Sequence, residues 1–268
     1  MKKIVDYELQ DGCTVQPQTK KELVDTIKRT CKRKGWNCDL NFIDTSKITD
    51  MSRLFANIPT CYGGYGFRKF NCDISKWNVS NVKNMDCMFS GAKKFNQPLN
   101  DWNTSNVESM NYMFFDAISF NQPIENWDVS KVTTMHYMFG YAKNFNQPLD
   151  KWNVSNVTSM VGMFDHNKAF NQPLDKWNTK NLEDSALMFV GANSFNQNLS
   201  SWNSNKISDC RGMFKDAKNF DSEIPSFDNF EFSSFADKCK HLCLSDKYIE
   251  KHDTQSLRRV AKATKFCR

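Results

Sequence analysis

The sequence has no long apolar run and no recognisable export signal. A membrane-spanning helix needs about 18 or more consecutive apolar residues, and no segment reaches that length. The N-terminus opens with Lys2 and Lys3 but continues with Asp6, Glu8 and Asp11. A secretory signal needs an apolar stretch directly after its basic residues. We therefore expect no membrane insertion, and the missing signal favours a cytoplasmic location.

Concentrated basic charge is also scarce. The chain has 36 Lys and Arg against 30 Asp and Glu, a net charge of +6. Proteins that bind nucleic acids usually gather their basic residues on one face or stripe. Here the basic blocks are confined to residues 28–34 and the pair Arg258 and Arg259. The sequence therefore predicts no nucleic-acid partner.

Residues typical of catalysis are few. The four histidines are His136, His166, His241 and His252. The repeat spacing places His136 and His166 near each other, with Asp165 adjacent, but no strained nucleophile turn accompanies them. The glycines of segment 63–66 lack a nucleotide-binding spacing. We expect a protein that is not an enzyme and that has no cofactor.

Ten cysteines are present, but they do not recur at a fixed position. Free thiols in a reducing compartment explain this distribution more simply than a disulfide framework, although both remain open. Cys239 and Cys243 flank His241 at a spacing that could contact a metal. Packing explains such a small set better, so we predict no metal site.

Aromatic residues recur with a period of 25 residues. A fixed period of this length, with one supersecondary unit per repeat, is typical of a stacked array. Three columns keep the step: Trp77, Trp102, Trp127, Trp152, Trp177 and Trp202; Phe70, Phe95, Phe120, Phe145, Phe170, Phe195 and Phe220; and the Met-Phe pairs at 88–89, 113–114, 138–139, 163–164, 188–189 and 213–214.

One repeat, residues 145–169, divides into three parts. It begins with a turn containing Pro148 and continues with a short extended segment at Trp152. After Ser155, Val157 and Met160 begin a 3–4 spacing that is typical of a short helix. The sequence predicts an α/β solenoid, a leucine-rich-repeat-like array of about eight repeats, each with one short strand and one short helix.

Two further columns contain only Asn or Asp, one after each Phe and one after each Trp, as at Asn146 and Asn153. We expect both to bond their own backbone two residues on, at tight corners. The predicted organisation is an N-terminal segment and capping helix at 1–40, a repeat solenoid at 41–245 with an insertion at 57–68, and a C-terminal capping helix at 246–268. Thr19 and Glu22 form a capping-box pattern for the first helix.

The repeats closely resemble the BspA-like leucine-rich repeat family, in its 25-residue branch shared with mycoplasma-type surface lipoproteins. The residues that carry the resemblance are Phe-Asn-Gln-Pro-Leu at 145–149, Trp-Asn-Val-Ser-Asn-Val-Thr-Ser-Met at 152–160 and Ile-Asp-Thr-Ser-Lys-Ile-Thr-Asp-Met at 43–51. The resemblance covers residues 40–240. It implies surface adhesion or protein contact, a location at the cell surface, and no catalytic residues.

Positions that vary freely between repeats indicate what the scaffold does not dictate. They bring aromatic and charged residues together on the second and third full repeats, as exposed contact sites often do. The alternative interpretation is drift at solvated positions. The candidate partner-binding residues are Tyr112, Phe115, Asp116, His136, Tyr137, Tyr141, Asp165 and His166.

We therefore expect a monomeric, non-catalytic protein-binding repeat module that mediates protein–protein interaction or adhesion. The alternative is an intracellular scaffold or effector with a host or cellular protein partner.

Overall fold

The computed structural model describes residues 14–57 and 67–225 together with Cys243. Its one helix within these residues, α1, spans Lys20–Lys34. The Thr19 hydroxyl accepts the Glu22 amide at 3.2 Å, and Glu22 accepts the Gln18 amide at 2.8 Å, which satisfies donors at the helix start. Gly35 ends the helix with a φ of 89°. Leu23, Val24 and Ile27 are buried, so α1 packs its apolar face against the repeats.

The predicted α/β solenoid of short strands and short helices is wrong. In the described part of the chain the repeats contain neither a strand nor a helix, only turns and extended segments. Consecutive repeats are connected by isolated parallel bridges. These bridges join Asp50 to Asn84, Asn84 to Ser109, Ser109 to Thr134, Thr134 to Ser159, Ser159 to Asp184, and Asp184 to Asp209.

Successive four-residue β-turns take the place of the predicted helix. The Met113 amide donates to the Met110 carbonyl at 3.2 Å, and the Ala117 amide donates to the Phe114 carbonyl at 3.0 Å. The third residue of each turn has a positive φ, 57° at Tyr112 and 53° at Asp116. This is the requirement of a type II turn, and it is incompatible with a right-handed helix. Consecutive turns therefore produce the 3–4 apolar spacing that resembled a helix.

Every second amide from Tyr112 to Asp116 bonds instead to the next repeat. Tyr112 donates to the His136 carbonyl at 2.7 Å, and Phe114 donates to the Met138 carbonyl at 2.9 Å. Turn bonds and inter-repeat bonds thus alternate along the chain. Because the alternation uses the backbone donors, the segment can be buried without forming regular secondary structure.

Stacked aromatic rings form the core. Phe114 is fully buried, with its ring centroid 5.4 Å from Phe89 and 5.7 Å from Phe139 in the adjacent repeats. Within its own repeat it stacks on Phe120 at 4.0 Å. Each indole N–H of the six-residue Trp column donates to a carbonyl of the preceding repeat, as Trp127 does to Leu99 at 2.8 Å. The aromatic columns therefore hold successive repeats in register.

The two Asn/Asp columns have different roles. The column after Trp accepts from its own backbone two residues on, as Asn103 does from the Ser105 amide at 3.1 Å. The column after Phe was predicted to do the same, and that prediction is wrong. Its side chains accept from the next repeat, and the Asn146 amide donates to Asn121 Oδ1 at 2.9 Å. This column is therefore an inter-repeat ladder.

Several predicted segments lie outside the described residues. They are most of the insertion at 57–68, the C-terminal capping helix at 246–268, and the Cys239 and His241 pair. No helix among the described residues has the length and apolar character needed to cross a membrane.

The Asn ladder predicts a specific cost for removing one member. In Asn121→Ala, the Asn146 amide and the Gln147 side-chain amide lose their acceptor, at 2.9 and 3.0 Å respectively. Leaving such groups unpaired costs about 1–3 kcal/mol. Urea unfolding should show this loss for Asn121→Ala and almost none for Asn144→Ala at an exposed position. Equal losses in the two variants would contradict the ladder.

Candidate partner-binding cleft

An open cleft of about 670 Å³ runs across the turn segments of successive repeats. Its walls combine aromatic rings with charged and amide side chains. The lining residues are Arg53, Asp86, Cys87, Asn111, Tyr112, Phe115, His136, Tyr137, Tyr141 and Asp165. They come from equivalent positions in neighbouring repeats, so the cleft follows the direction in which the repeats stack.

The left-handed backbone positions supply most of the aromatic side chains. Tyr112 and Tyr137 occupy one such column, with φ values of 57° and 49°. Tyr141 and His166 occupy the second, with φ values of 57° and 52°. Flanking residues such as Met113 are fully buried, whereas these four side chains are half-buried. The turns therefore direct one set of side chains into the core and the other set toward the cleft.

The rings pack against one another along the stack. Tyr112 and Tyr137 are stacked with centroids 5.2 Å apart and an interplanar angle of 11°. Tyr141 and His166 are stacked at 4.7 Å and 6°. Phe115 lies beside them, 5.4 Å from Tyr141. Since these contacts restrict the rings, the aromatic wall is preorganised.

Glycines in the following repeats make room for these rings. A Cβ on Gly140 would lie 3.0 Å from Phe115 Cδ2, and one on Gly191 would lie 3.1 Å from His166 Cδ2. At Gly162 the clash with Tyr137 Cε1 would be more severe. Each ring therefore occupies the space over a missing side chain one repeat later.

Polar side chains connect the repeats along the same cleft. Asp86 Oδ1 accepts the Asn111 amide at 2.8 Å and the Ser109 hydroxyl at 2.6 Å. Asn111 Oδ1 in turn accepts the His136 amide at 2.8 Å. His136 Nε2 lies 2.8 Å from the Ser159 hydroxyl. This ladder satisfies backbone amides on the polar side of the cleft.

Asp165 lies at the end of the cleft away from Arg53 and is buried. Its Oδ1 is 2.5 Å from His166 Nδ1. Burial raises the pKa of the Asp165 carboxyl above its ordinary value, and hydrogen bonding and charge from His166 partly oppose this shift. Burial also raises the pKa of Tyr137 and Tyr141, and the Asp165 charge adds to that shift.

The structure brings the predicted contact residues together. Six of them line the cleft: Tyr112, Phe115, His136, Tyr137, Tyr141 and Asp165. The other two lie next to it, His166 stacked on Tyr141 and Asp116 paired with Lys93 at 3.1 Å. All eight residues were expected on helices and exposed to solvent. Instead they lie on turns, where Asp165 is buried and the other seven are half-buried.

Four lining residues were not predicted: Arg53, Asp86, Cys87 and Asn111. The repeat alignment could have identified them. Arg53 and Cys87 are the equivalents of Tyr112 in the two preceding repeats, and all three have a positive φ. Asp86 and Asn111 precede Cys87 and Tyr112 directly.

The chain belongs to the family described as "Mycoplasma protein of unknown function, DUF285", which matches residues 25–147 and 119–227. These two matches together include the whole cleft. No curated protein matches the chain, and neither does any solved structure.

Replacing Gly162 tests the packing under Tyr137. In Gly162→Ala the new Cβ meets the Tyr137 ring, and overpacking of this kind costs about 1–3 kcal/mol. Leu187 has a φ of 61° at the equivalent position, so a side chain can adopt this backbone conformation, at a cost that does not depend on the Tyr137 ring. Chemical denaturation should show a smaller loss when Gly162→Ala is made in a Tyr137→Ala background. An unchanged loss would place the strain in the backbone.

The raised pKa of Asp165 predicts a pH-dependent stability. The folded state holds this proton more tightly than the unfolded chain, whose carboxyl titrates near 3.8. As the pH rises from that value through the folded pKa, the wild type should lose stability relative to Asp165→Asn.

Asp128→Asn is the matched control, because hydrogen bonds from Ser130 lower the pKa of Asp128. Relative to this variant, the wild type should lose stability as the pH falls. Urea unfolding at a series of acidic pH values measures both differences. The same pH trend for the two variants would refute the assignment of Asp165.

Proposed function

We propose that this protein is a non-catalytic protein-binding module whose cleft accepts an extended segment of a partner protein. The observation that carries the proposal is the preorganised wall of stacked Tyr112 and Tyr137, with Asp86 and Asn111 alongside them in the cleft. Aromatic residues in well-packed, partly desolvated positions are the side chains that most often dominate binding energy at protein interfaces.

The length of the cleft suits a short peptide. It extends from Arg53 to Asp165, which belong to the first and last of five stacked repeats. Adjacent chain segments in such a stack are about 4.8 Å apart, so the cleft is roughly 20 Å long. An extended chain rises about 3.3 Å per residue and would span the cleft with roughly six residues.

The charges in the cleft suggest which side chains such a segment carries. Arg53 lies at one end, and Asp86 and Asp165 supply carboxyl groups further along. The tyrosine faces bind apolar groups and, through their ring quadrupole, cations. We infer a partner segment that combines an aromatic or aliphatic side chain with a lysine or arginine.

The hydrogen bond between His136 and Ser159 is better explained by the scaffold than by catalysis. A histidine within 2.8 Å of a hydroxyl is the geometry of a base beside a nucleophile. However, Ser109 makes the equivalent bond to Asp86 at 2.6 Å, across the same 23-residue separation. Since an aspartate and a histidine make equivalent bonds at this repeat position, we assign the bond to the inter-repeat ladder.

Adhesion and intracellular scaffolding both use such a cleft and differ in where the partner is found. The resemblance of the repeat sequences to BspA-like surface proteins supports adhesion. Fractionation of the native cells separates the two, because adhesion requires the protein at the surface and a scaffold requires it inside.

Peptides selected on the full chain from a displayed random library test the proposed function. The double variant Tyr112→Ala/Tyr137→Ala should weaken their binding about tenfold or more, the effect of losing a hot-spot aromatic worth roughly 1–2 kcal/mol. Tyr112→Phe/Tyr137→Phe should retain most of the affinity because it keeps both ring faces. Isothermal titration calorimetry measures these changes.

Leu187→Ala is the matched control for the double variant. Leu187 occupies the same repeat position as Tyr112 and Tyr137, is 36 % exposed and is not a lining residue of the cleft. Near-ultraviolet circular dichroism should first establish that each variant is folded. Unchanged peptide affinity in a folded Tyr112→Ala/Tyr137→Ala variant would exclude the cleft as the binding site.

A further inference from the structure

Three cysteine thiols meet where α1 joins the repeats. Cys31 lies in the last turn of α1, Cys38 follows the Gly35 turn, and Cys72 comes from the next repeat. Cys31 and Cys72 are buried, and Cys38 is half-buried. The trio is separate from the cleft, since none of its members lines it.

Backbone hydrogen bonds hold Cys72 in place on both sides. The Asn71 amide donates to the Trp36 carbonyl at 2.8 Å, and the Asp73 amide donates to the Cys38 carbonyl at 2.9 Å. These bonds fix the chain carrying Cys72 against the chain carrying Cys38. The positions of the thiols therefore follow from the backbone, not only from the choice of rotamer.

The sulfur atoms are spaced as ligands of one metal ion. Cys72 Sγ is 3.3 Å from Cys38 Sγ and 3.7 Å from Cys31 Sγ, and all three sulfurs lie within 4.8 Å of one another. A tetrahedral zinc site with Zn–S bonds of about 2.3 Å has S···S edges of about 3.8 Å. Small side-chain adjustments would bring the three sulfurs to that spacing.

We propose that Cys31, Cys38 and Cys72 bind a thiophilic metal ion of the zinc type, with a small exogenous ligand such as water completing the coordination. Three thiolates satisfy the preference of such ions for soft sulfur ligands. The Cys38 amide donates to Cys72 Sγ at 3.3 Å, which supplies the outer hydrogen bond that orients a metal-bound sulfur.

Neither a disulfide nor simple packing accounts for the trio as well as a metal does. A disulfide joins two sulfurs at about 2.05 Å and would leave the third thiol beside it without a role. If all three thiols are protonated, their mutual hydrogen bonds add little stability, because the S–H group is a weak donor.

The proposed ion would fasten the N-terminal cap. It would connect α1 to the repeat that contains Cys72, across a separation of 41 residues. Closing a loop of that length restricts the unfolded chain, and binding only to the folded state adds further stability. The site is therefore structural, and it does not depend on the proposed function of the cleft.

Cobalt(II) is the probe for the test, because it replaces zinc and reports thiolate coordination by its absorption. The full chain is reduced, freed of metal and titrated with Co²⁺ under anaerobic conditions. We expect one equivalent to produce thiolate-to-cobalt charge-transfer absorption and tetrahedral ligand-field bands, and Zn²⁺ to abolish them. The melting temperature should rise when Zn²⁺ is added.

Single substitutions identify the ligands. Cys38→Ser and Cys72→Ser should each eliminate the absorption of a thiolate-rich tetrahedral site, whereas Cys87→Ser should retain it, since Cys87 lies outside the trio. Cys38 is the less buried ligand, so its variant is the one more readily kept folded. Circular dichroism of each metal-free variant checks the fold.

Three results would overturn the proposal. The first is the absence of stoichiometric Co²⁺ binding by the reduced wild type. The second is unchanged absorption in folded Cys38→Ser, which would place the ion on other cysteines. The third is a disulfide between two members of the trio, found by mass spectrometry in protein purified from its native cells.

Discussion

The alternation of two backbone hydrogen bonds determines the rest of this structure. In the turn segment of each repeat, one amide closes a turn on its own chain and the next amide donates to the following repeat, as Met113 and Phe114 do. This pattern satisfies buried donors without a helix or a strand ladder. It also places a left-handed residue in two turns of each full repeat, as at Tyr112 and Asp116. For a side chain other than glycine that conformation costs about 1–2 kcal/mol. The inter-repeat bonds and the aromatic stacks offset this cost.

The left-handed positions explain why the cleft lies where it does. The turn geometry directs neighbouring residues such as Met110 and Met113 into the core, so these vary little, whereas the left-handed residue faces outward and its identity is less constrained. Strained backbone is sometimes a marker of a functional site, but here it recurs in repeats outside the cleft, as at Leu187. What distinguishes the cleft is therefore the choice of side chain. Tyr112 and Tyr137 occupy positions where glycine would be easier for the backbone, as it is at Gly162.

The sequence alone predicts the period, the stacked columns and six of the residues that line the cleft, because equivalent positions in a stacked array lie side by side. It does not distinguish successive turns from a helix, since both place apolar residues three and four apart. The glycines were the informative residues: Gly162 and Gly212 share a column with Tyr112, which indicates a left-handed position, although that column resembled free variation. The role of the Asn column after Phe was predicted wrongly. An Asn side chain can accept a hydrogen bond from its own turn or from the next repeat, and the sequence does not distinguish these two roles. The complete cysteine trio was not predictable. Cys38 and Cys72 lie side by side because the next residues, Asp39 and Asp73, form a bridge between repeats, but Cys31 joins them only when α1 packs on the repeats.

Because the inter-repeat hydrogen bonds all run in one direction in the turn segments, the two ends of the stack leave different backbone groups without a neighbouring repeat. In the turn segments each repeat donates to the one that follows. Among the described residues, the first repeat therefore presents carbonyl groups that no earlier repeat covers. α1 packs against this end of the stack with Leu23 and Ile27, and Lys20 reaches Asp50 and Ser52 at 3.1 and 2.9 Å. Arg53, the first residue that lines the cleft, follows Ser52 directly. The position of α1 therefore affects the geometry of the cleft. A firmly attached α1 thus stabilises the end of the stack and fixes the position of the first residue of the cleft.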